Sequence, residues 1–259
     1  MAGGPYSLAM SRPTKIAVAL LAIVAVVGAA AWWLGFFEEP AAEVSIEEAA
    51  AAAEASDNAD PAAGDSAGNP AGSLDGAVDG VVEDLTGSWT IVGGGSSFVG
   101  YRIDEVLTTV GDFSVVGRTE DVVGTIDADD TTTAAALVAD MTTLTTDNGA
   151  RDRAMRNQAL ETGQFPEATF VLTSPIDVAA VPAEGDPIEV TATGELTIHG
   201  VTRSVEFPLT AATQGSNFVV IGQLDVLLDD YDIAAPSAPI VASVEDNAIL
   251  ELSLVFERS

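Results

Sequence analysis

The chain holds one histidine and no cysteine in 259 residues. Any chemistry must therefore come from that imidazole, from hydroxyls, from carboxylates or from a few cations. The histidine lies in Ile198-His199-Gly200-Val201-Thr202-Arg203. A catalytic imidazole needs a nucleophile within reach and an acid that orients the ring. No G-x-S-x-G elbow is present: the nearest stretch, Gly93-Gly94-Gly95-Ser96-Ser97-Phe98, lacks the last glycine. Those glycines are not a phosphate loop either, because no G-K-[ST] follows them. With Gly200 behind it, His199 reads as a turn residue bonding loop backbone. No catalytic residue is assigned, and the chain is not expected to be an enzyme.

The cations offer a second chemistry. Arg151, Arg153 and Arg156 are three of the seven Lys and Arg residues between 87 and 259. Guanidinium groups grip phosphate bidentately, which makes Arg151 and Arg156 candidates for the phosphate of a ligand headgroup. The same residues, with Asp152 between them, also suit ion pairs that pin a local segment. Acidic clusters raise the question of calcium. Asp127-Ala128-Asp129-Asp130 opens like an EF-hand loop, but Thr132 stands where glycine is required and Val138 where the closing glutamate belongs. Asp229-Asp230-Tyr231-Asp232 is a second acidic knot with no spacing of its own. No metal site and no cofactor is assigned, and no carboxylate pair stands out for glycoside hydrolysis.

Forty Asp and Glu against nine Lys and Arg give a net charge of −31. Nucleic acid needs clustered cations on its phosphates and is excluded as a partner. The lack of cysteine removes disulfides, iron–sulfur clusters and zinc-thiolate sites. A mean hydropathy of +0.31 beside that charge shows that apolar and acidic residues are segregated along the chain. One lysine in the whole chain, with heavy Ala, Asp, Thr and Val use, suggests a GC-rich bacterial genome.

Four segments follow. Residues 1–15 are short and polar, with Arg12 and Lys15 as the early cations. Residues 16–37 carry no charge, about the ~20 residues a helix needs to cross the hydrocarbon core. Cations before this run and Glu38-Glu39 after it predict a signal anchor with residues 1–15 cytoplasmic and the rest extracytoplasmic. A cleavable signal peptide ending near Ala29-Ala30-Ala31 is the competing reading. Residues 38–86 are rich in Ala, Asp, Glu, Gly and Pro, without a cation, and are expected to be a disordered acidic linker. Within it, 44–55 has the composition of a transient helix.

Residues 87–259 read as strands. Period-two alternation appears at 98–103, 119–127, 135–141, 167–174, 189–199, 203–211, 217–228 and 248–256. One segment, 150–162, fits one or two helical turns instead. Eight amphipathic strands suit an antiparallel barrel or a sandwich, and periodicity does not choose between them. The candidate inward stripe is Val99, Tyr101, Leu137, Met141, Phe170, Leu196, Ile198, Val205, Phe207, Leu224, Leu252 and Leu254. Ala139, Ala192, Gly194 and Gly222 are small residues on the same stripe, and would leave space in a lumen or compensate for taper.

Three blocks then carry a resemblance. They are Gly87-Ser88-Trp89-Thr90 with Ser97-Phe98-Val99-Gly100-Tyr101, then Thr145-Thr146-Asp147…Arg151-Asp152…Met155-Arg156 with Phe165-Pro166-Glu167-Ala168-Thr169-Phe170, and Gly194-Glu195-Leu196-Thr197-Ile198-His199-Gly200-Val201-Thr202-Arg203. In this order they resemble the YceI-like lipid/polyisoprenoid-binding proteins. The resemblance implies an all-β, eight-stranded antiparallel, lipocalin-like barrel with a short helical insertion, whose apolar lumen holds an isoprenoid or fatty-acyl lipid. Glu105 and Ala154 stand where many relatives carry histidine. The expectation is a single-pass cell-membrane protein that carries or sequesters such a lipid outside the cytoplasm. The alternative is a structural module with a filled barrel and an acidic partner-binding surface.

Overall fold

The computed structural model describes residues 40–57, 85–108, 111–129, 133–176, 186–236 and 241–259. The expected anchor at 16–37 lies outside the described residues, and among those described no helix is long and apolar enough to cross a membrane. Ala41–Ser259 form one compact unit.

Its strands are β1 (Gly87–Ile91), β2 (Phe98–Leu107), β3 (Gly111–Thr119), β4 (Val122–Ala128), β5 (Thr133–Asp140), β6 (Glu167–Leu172), β7 (Ile188–Ile198), β8 (Val201–Gln214), β9 (Asn217–Leu227), β10 (Val241–Val244) and β11 (Asn247–Arg258). All pairings are antiparallel, in the order β1-β4-β5-β6-β7-β8-β9-β11, and β1 pairs back with β11. The result is a closed eight-stranded barrel.

The ring has the expected number of strands but different members. β1 is in the ring, whereas β2, expected as the first barrel strand, lies beside it. β11 is long enough to pair with both: Trp89↔Arg258 joins it to β1, and Leu252↔Val99 joins it to β2. The first wall strand is thus broken between Ile91 and Phe98, where Gly94 and Gly95 take positive φ. β3 and β10 flank β2. Short or glycine-interrupted runs such as these carry too few alternations to register as strands in the sequence.

The helical insertion contains a short α-helix (Gly149–Ala154), which runs into a π-turn over Met155–Ala159. Asn148 caps the insertion helix by accepting from the backbone N–H of Ala150 at 2.8 Å and of Arg151 at 3.3 Å. Arg118 of β3 forms an isolated bridge with Thr145, so the loop leading to this helix continues the wall past β3.

The stretch of the acidic linker with the composition of a transient helix is an ordered helix rather than a transient one. Helix α1 (Ile46–Asp57) lies within the linker and docks on the outer wall, which makes the insertion helix α2. Ser45 Oγ accepts from the N–H of Glu48 at 3.2 Å, a Ser-x-x-Glu start with the spacing of a capping box. Ala49 and Ala53, one turn apart, are 1% and 0% exposed against Ala212, Val219 and Val255. Burying the two valines contributes about 1.5–3 kcal/mol each, enough to order a helix that is marginal alone. Ahead of α1, the carbonyls of Ala41 and Ala42 accept from Arg102 at 2.8 Å and Arg118 at 2.7 Å. The described residues on either side of 58–84 both contact the barrel. Ser56 Oγ meets Ser96 Oγ at 2.6 Å, and Trp89 Nε1 donates to the Leu85 carbonyl at 3.0 Å.

Candidate ligand-binding lumen

The barrel interior holds two apolar clusters, one towards each end. The first gathers Trp89, Val122, Phe218, Leu254 and Phe256, with Val99, Leu137 and Leu252 against it. The second gathers Tyr101, Leu196 and Ile198, with Phe170, Val205 and Leu224 against it. Met141, at the end of β5, touches both. Phe207 is 6% exposed and meets the Phe170 ring edge-on at 6.4 Å. The structure therefore brings all twelve residues of the candidate stripe to the interior.

Their burial is uneven. Tyr101, Leu196, Ile198, Phe207 and Leu254 are buried, but Val99, Leu137, Phe170, Val205, Leu224 and Leu252 are only half-buried although they face inward. Val219 and Val255, which face outward under α1, are 0% exposed. A close-packed core leaves no such access. Of the two readings open for the small residues, Gly194 and Gly222 do not leave space in the lumen. A Cβ at Gly194 would sit 2.6 Å from Cε2 of Phe170, and one at Gly222 would sit 2.6 Å from Cδ2 of Leu209. Neighbouring side chains fill both positions, so these glycines permit close approach.

The end near α2 is polar. Arg151 Nη2 lies 3.1 Å from Oε1 of the buried Glu105, and its other terminal nitrogen pairs with Asp147. Asp152 Oδ1 accepts from the N–H and hydroxyl of Thr146 at 2.8 and 2.7 Å. Arg156 Nη1 donates to the Leu144 carbonyl at 3.2 Å. Of the two headgroup candidates, Arg151 is thus held by two carboxylates and Arg156 by a carbonyl, and both tie the insertion to the wall. Glu105 is visible in the sequence only as a departure from the family pattern; the fold supplies its partner. Tyr101 is buried beside this group, and its hydroxyl has no hydrogen-bond partner among the described residues. Burial pushes the phenol well above its ordinary value; Arg151 opposes this, while Asp152, Glu105 and Asp147 add to it.

The barrel wall also parts at one place. β8 and β9 pair only from Leu209↔Gly222 to Gln214↔Asn217. Pairing stops beside Pro208, which has no N–H to donate. A cavity of about 520 Å³ opens between the separated strands, lined by Val205, Leu224, Val226 and Tyr231 with Arg203 and Asp230 at its rim. The turn Leu228–Tyr231 folds across it. Tyr231 is 2% exposed within the second cluster, and its hydroxyl also lacks a partner among the described residues. Burial, with the Asp230 carboxylate, pushes this phenol up, and Arg203 opposes the shift.

His199 takes its place here. Ile198↔Val201 closes the β7–β8 hairpin, with His199 at φ 52 and Gly200 at φ 74 as its two loop residues. Two positive φ values are what a tight hairpin turn requires. The ring meets the Tyr231 carbonyl at 3.1 Å through Nδ1 and Glu161 at 3.2 Å through Nε2. It fastens the turn across the gap. Tyr231 and Val226 belong to the interior but do not stand out in the sequence; Val226 continues the Leu224 alternation, whereas nothing local marks Tyr231.

Comparison with known proteins agrees with this geometry. The model of the YceI-like domain matches residues 89–256. Protein YceI of Escherichia coli O157:H7 is 31% identical over 177 residues, spanning 64% of this chain and 84% of that protein. Among solved structures, a polyisoprenoid binding domain from Saccharophagus degradans superposes with a TM-score of 0.54 at 18% identity, covering 66% of this chain and 98% of that one. BcnA of Burkholderia cenocepacia aligns at 21% identity with a TM-score of 0.48, over 61% of this chain and 95% of that one. A closed barrel with an incompletely packed apolar interior, matched by the family model over most of its length, places the chain in the YceI-like family.

Proposed function

We propose that the chain is a lipid-binding barrel that holds an isoprenoid or other long acyl chain in its lumen. The observation that carries this reading is the half-burial of Val99, Leu137, Phe170, Val205, Leu224 and Leu252 on the inward face. Apolar side chains left partly open inside a closed wall gain when a chain of methylenes replaces water, by ~0.8 kcal/mol per buried CH₂. Chain length should then govern affinity more than the headgroup does, since Arg151 and Arg156 already have protein partners. The likeness to the polyisoprenoid binding domain of Saccharophagus degradans supports the same ligand class.

The reading includes a membrane anchor at 16–37 and an extracytoplasmic barrel. Its support is the uncharged run and the placement of Arg12 and Lys15 before it. The acidic stretch then has a different role from a free stalk. Glu38, Glu39 and Pro40 lie between the apolar run and Ala41, whose carbonyl bonds Arg102 of the barrel. Most of the acidic stretch lies beyond Ala41 in the chain.

The test is native mass spectrometry of the full chain released from membranes, with solvent extraction of the same sample. A bound prenyl or acyl lipid, lost in Leu196→Asp while the barrel still folds, is the expected result. A lipid-free mass that takes up no added polyprenyl alcohol would refute the reading.

A further inference from the structure

We infer that the gap between β8 and β9 is the lateral portal through which a long apolar chain enters the lumen, and that Tyr231 is its plug. The inference rests on the lipid-binding reading and assigns the route. Three independent features converge on the gap. The strand edges are unpaired there, since Val201–Pro208 of β8 bonds only to β7 and Gln223–Leu227 of β9 only to β11. A wall without ladder bonds can separate further without breaking backbone hydrogen bonds. The cavity of about 520 Å³ shares its inner lining with the lumen, because Val205, Leu224, Val226 and Tyr231 line it and also belong to the second apolar cluster. Finally, the element that fills the gap is a turn that contributes no strand to the ladder. Tyr231 inserts its ring but leaves its hydroxyl unpartnered among the described residues. Its turn is fastened to the β7–β8 side by the His199 ring on the Tyr231 carbonyl and by Arg203 Nε donating to the Asp230 carbonyl at 2.8 Å.

The rest of the wall is less suited to entry. The first cluster closes the far end with Trp89 at 1%, Phe256 at 4% and Phe218 at 9% exposure, and the Phe218 ring centre lies 6.2 Å from that of Trp89 and 6.0 Å from that of Phe256, tilted to both. The near end is capped by α2 and the Arg151–Glu105 pair. The gap, by contrast, is apolar on its inner side, while Ser204 and Asp225 on its outer side are exposed. A flexible chain passing sideways would meet Leu224 and Val226 before reaching Phe170 and Leu196. The chemical class admitted is a linear isoprenyl or acyl chain with a small polar end.

The chain has no cysteine, so a reversible lock can be built cleanly. Continuing the register three places past Leu209↔Gly222 sets Glu206 opposite Asp225, both exposed. The full chain carrying Glu206→Cys and Asp225→Cys is placed in phosphatidylcholine vesicles and bridged with a disulfide-containing bismaleimide. A diazirine-tagged twenty-carbon isoprenyl alcohol is then added and photolysed at intervals. Labelling of the peptide containing Leu252 and Leu254 is followed by mass spectrometry. Bridging is expected to slow that labelling at least tenfold, and reduction of the bridge in the same sample to restore it. Tyr231→Ala, without the bridge, is expected to speed it severalfold. Equal rates in bridged and reduced protein would overturn the portal and leave lipid binding standing. An unchanged rate in Tyr231→Ala would overturn the plug. Absence of labelling in every state, in protein whose circular dichroism still reports the barrel, would overturn the lipid-binding reading itself.

Discussion

Arg151 of α2 and Glu105 of β2 meet at 3.1 Å, with the glutamate buried and the guanidinium 5.7 Å from the centre of the Phe113 ring. This pair fastens the helical insertion across the polar end of the lumen. A buried carboxylate left without its cation is costly, whereas a neutral amide keeps part of the hydrogen bonding. Arg151→Ala is expected to lower unfolding stability by about 2 kcal/mol, and Glu105→Gln by less. Urea denaturation of the two variants and the double mutant measures the coupling.

Tyr101 predicts an alkaline limit to stability. Its phenol is raised above 10.0 in the folded state, chiefly by burial. The unfolded chain therefore loses this proton first as pH rises. Below pH 10 the contribution is fully present; above it, stability falls by about 1.4 kcal/mol per pH unit until the folded phenol also ionises. Tyr101→Phe removes the dependence on this group. Because the hydroxyl has no partner among the described residues, the variant should be no less stable at neutral pH. Denaturation between pH 8 and pH 11, at about half-unit steps, compares the two slopes.

Gly194 tests whether the lumen tolerates added volume. A Cβ there meets the Phe170 ring at 2.6 Å, and a larger group must push that ring into the lumen. Gly194→Val is expected to cost about 1–3 kcal/mol by overpacking and to reduce the length of chain the barrel holds. Phe170→Ala acts oppositely on capacity while still destabilising, by about 3 kcal/mol or more. Denaturation, together with the masses of co-purifying lipid, distinguishes the two effects.

The docked helix should come away separately from the barrel. Ala53 is 0% exposed under α1, and a carboxylate placed there would face Val219 and Val255. Ala53→Glu is expected to release Ile46–Asp57, raising amide exchange in that segment at least tenfold, with β7 and β11 unchanged. If exchange rises equally in the strands, α1 is integral to the barrel's stability.

The outer-wall triad makes a further separable prediction. Glu251, with its side chain 0% exposed, bonds Arg118 at 2.8 Å and approaches Arg102 at 3.6 Å. Glu251→Ala leaves two guanidinium groups facing each other beneath the Ala41–Ala42 backbone and is expected to cost about 3–5 kcal/mol. Replacing Arg102 alone should cost less, because Arg118 retains the short bonds. Thermal unfolding of both variants checks the order.

Much of the barrel is legible in residue order because alternation is a local property. Leu196 and Ile198, or Leu252 and Leu254, must share a face wherever the strand goes, and the three family blocks point to the YceI-like fold from residue order alone. The turn at His199-Gly200 is equally local. What needed the tertiary structure was every feature set by a partner distant in the chain. The break that puts β1 rather than β2 in the ring arises because β11 is long enough to pair with both. The linker helix is ordered by Val219 and Val255, more than 150 residues downstream. Arg151 looks like a free phosphate ligand until Glu105 and Asp147 are brought beside it. Pro208 marks a place where a ladder can stop, but only the pairing of the folded wall shows that β8 and β9 stay apart beyond it, and only the return of the chain at Tyr231 fills the gap. Pair energies between remote residues depend on distances that no local pattern encodes, so the stripe was readable and the opening in the wall was not.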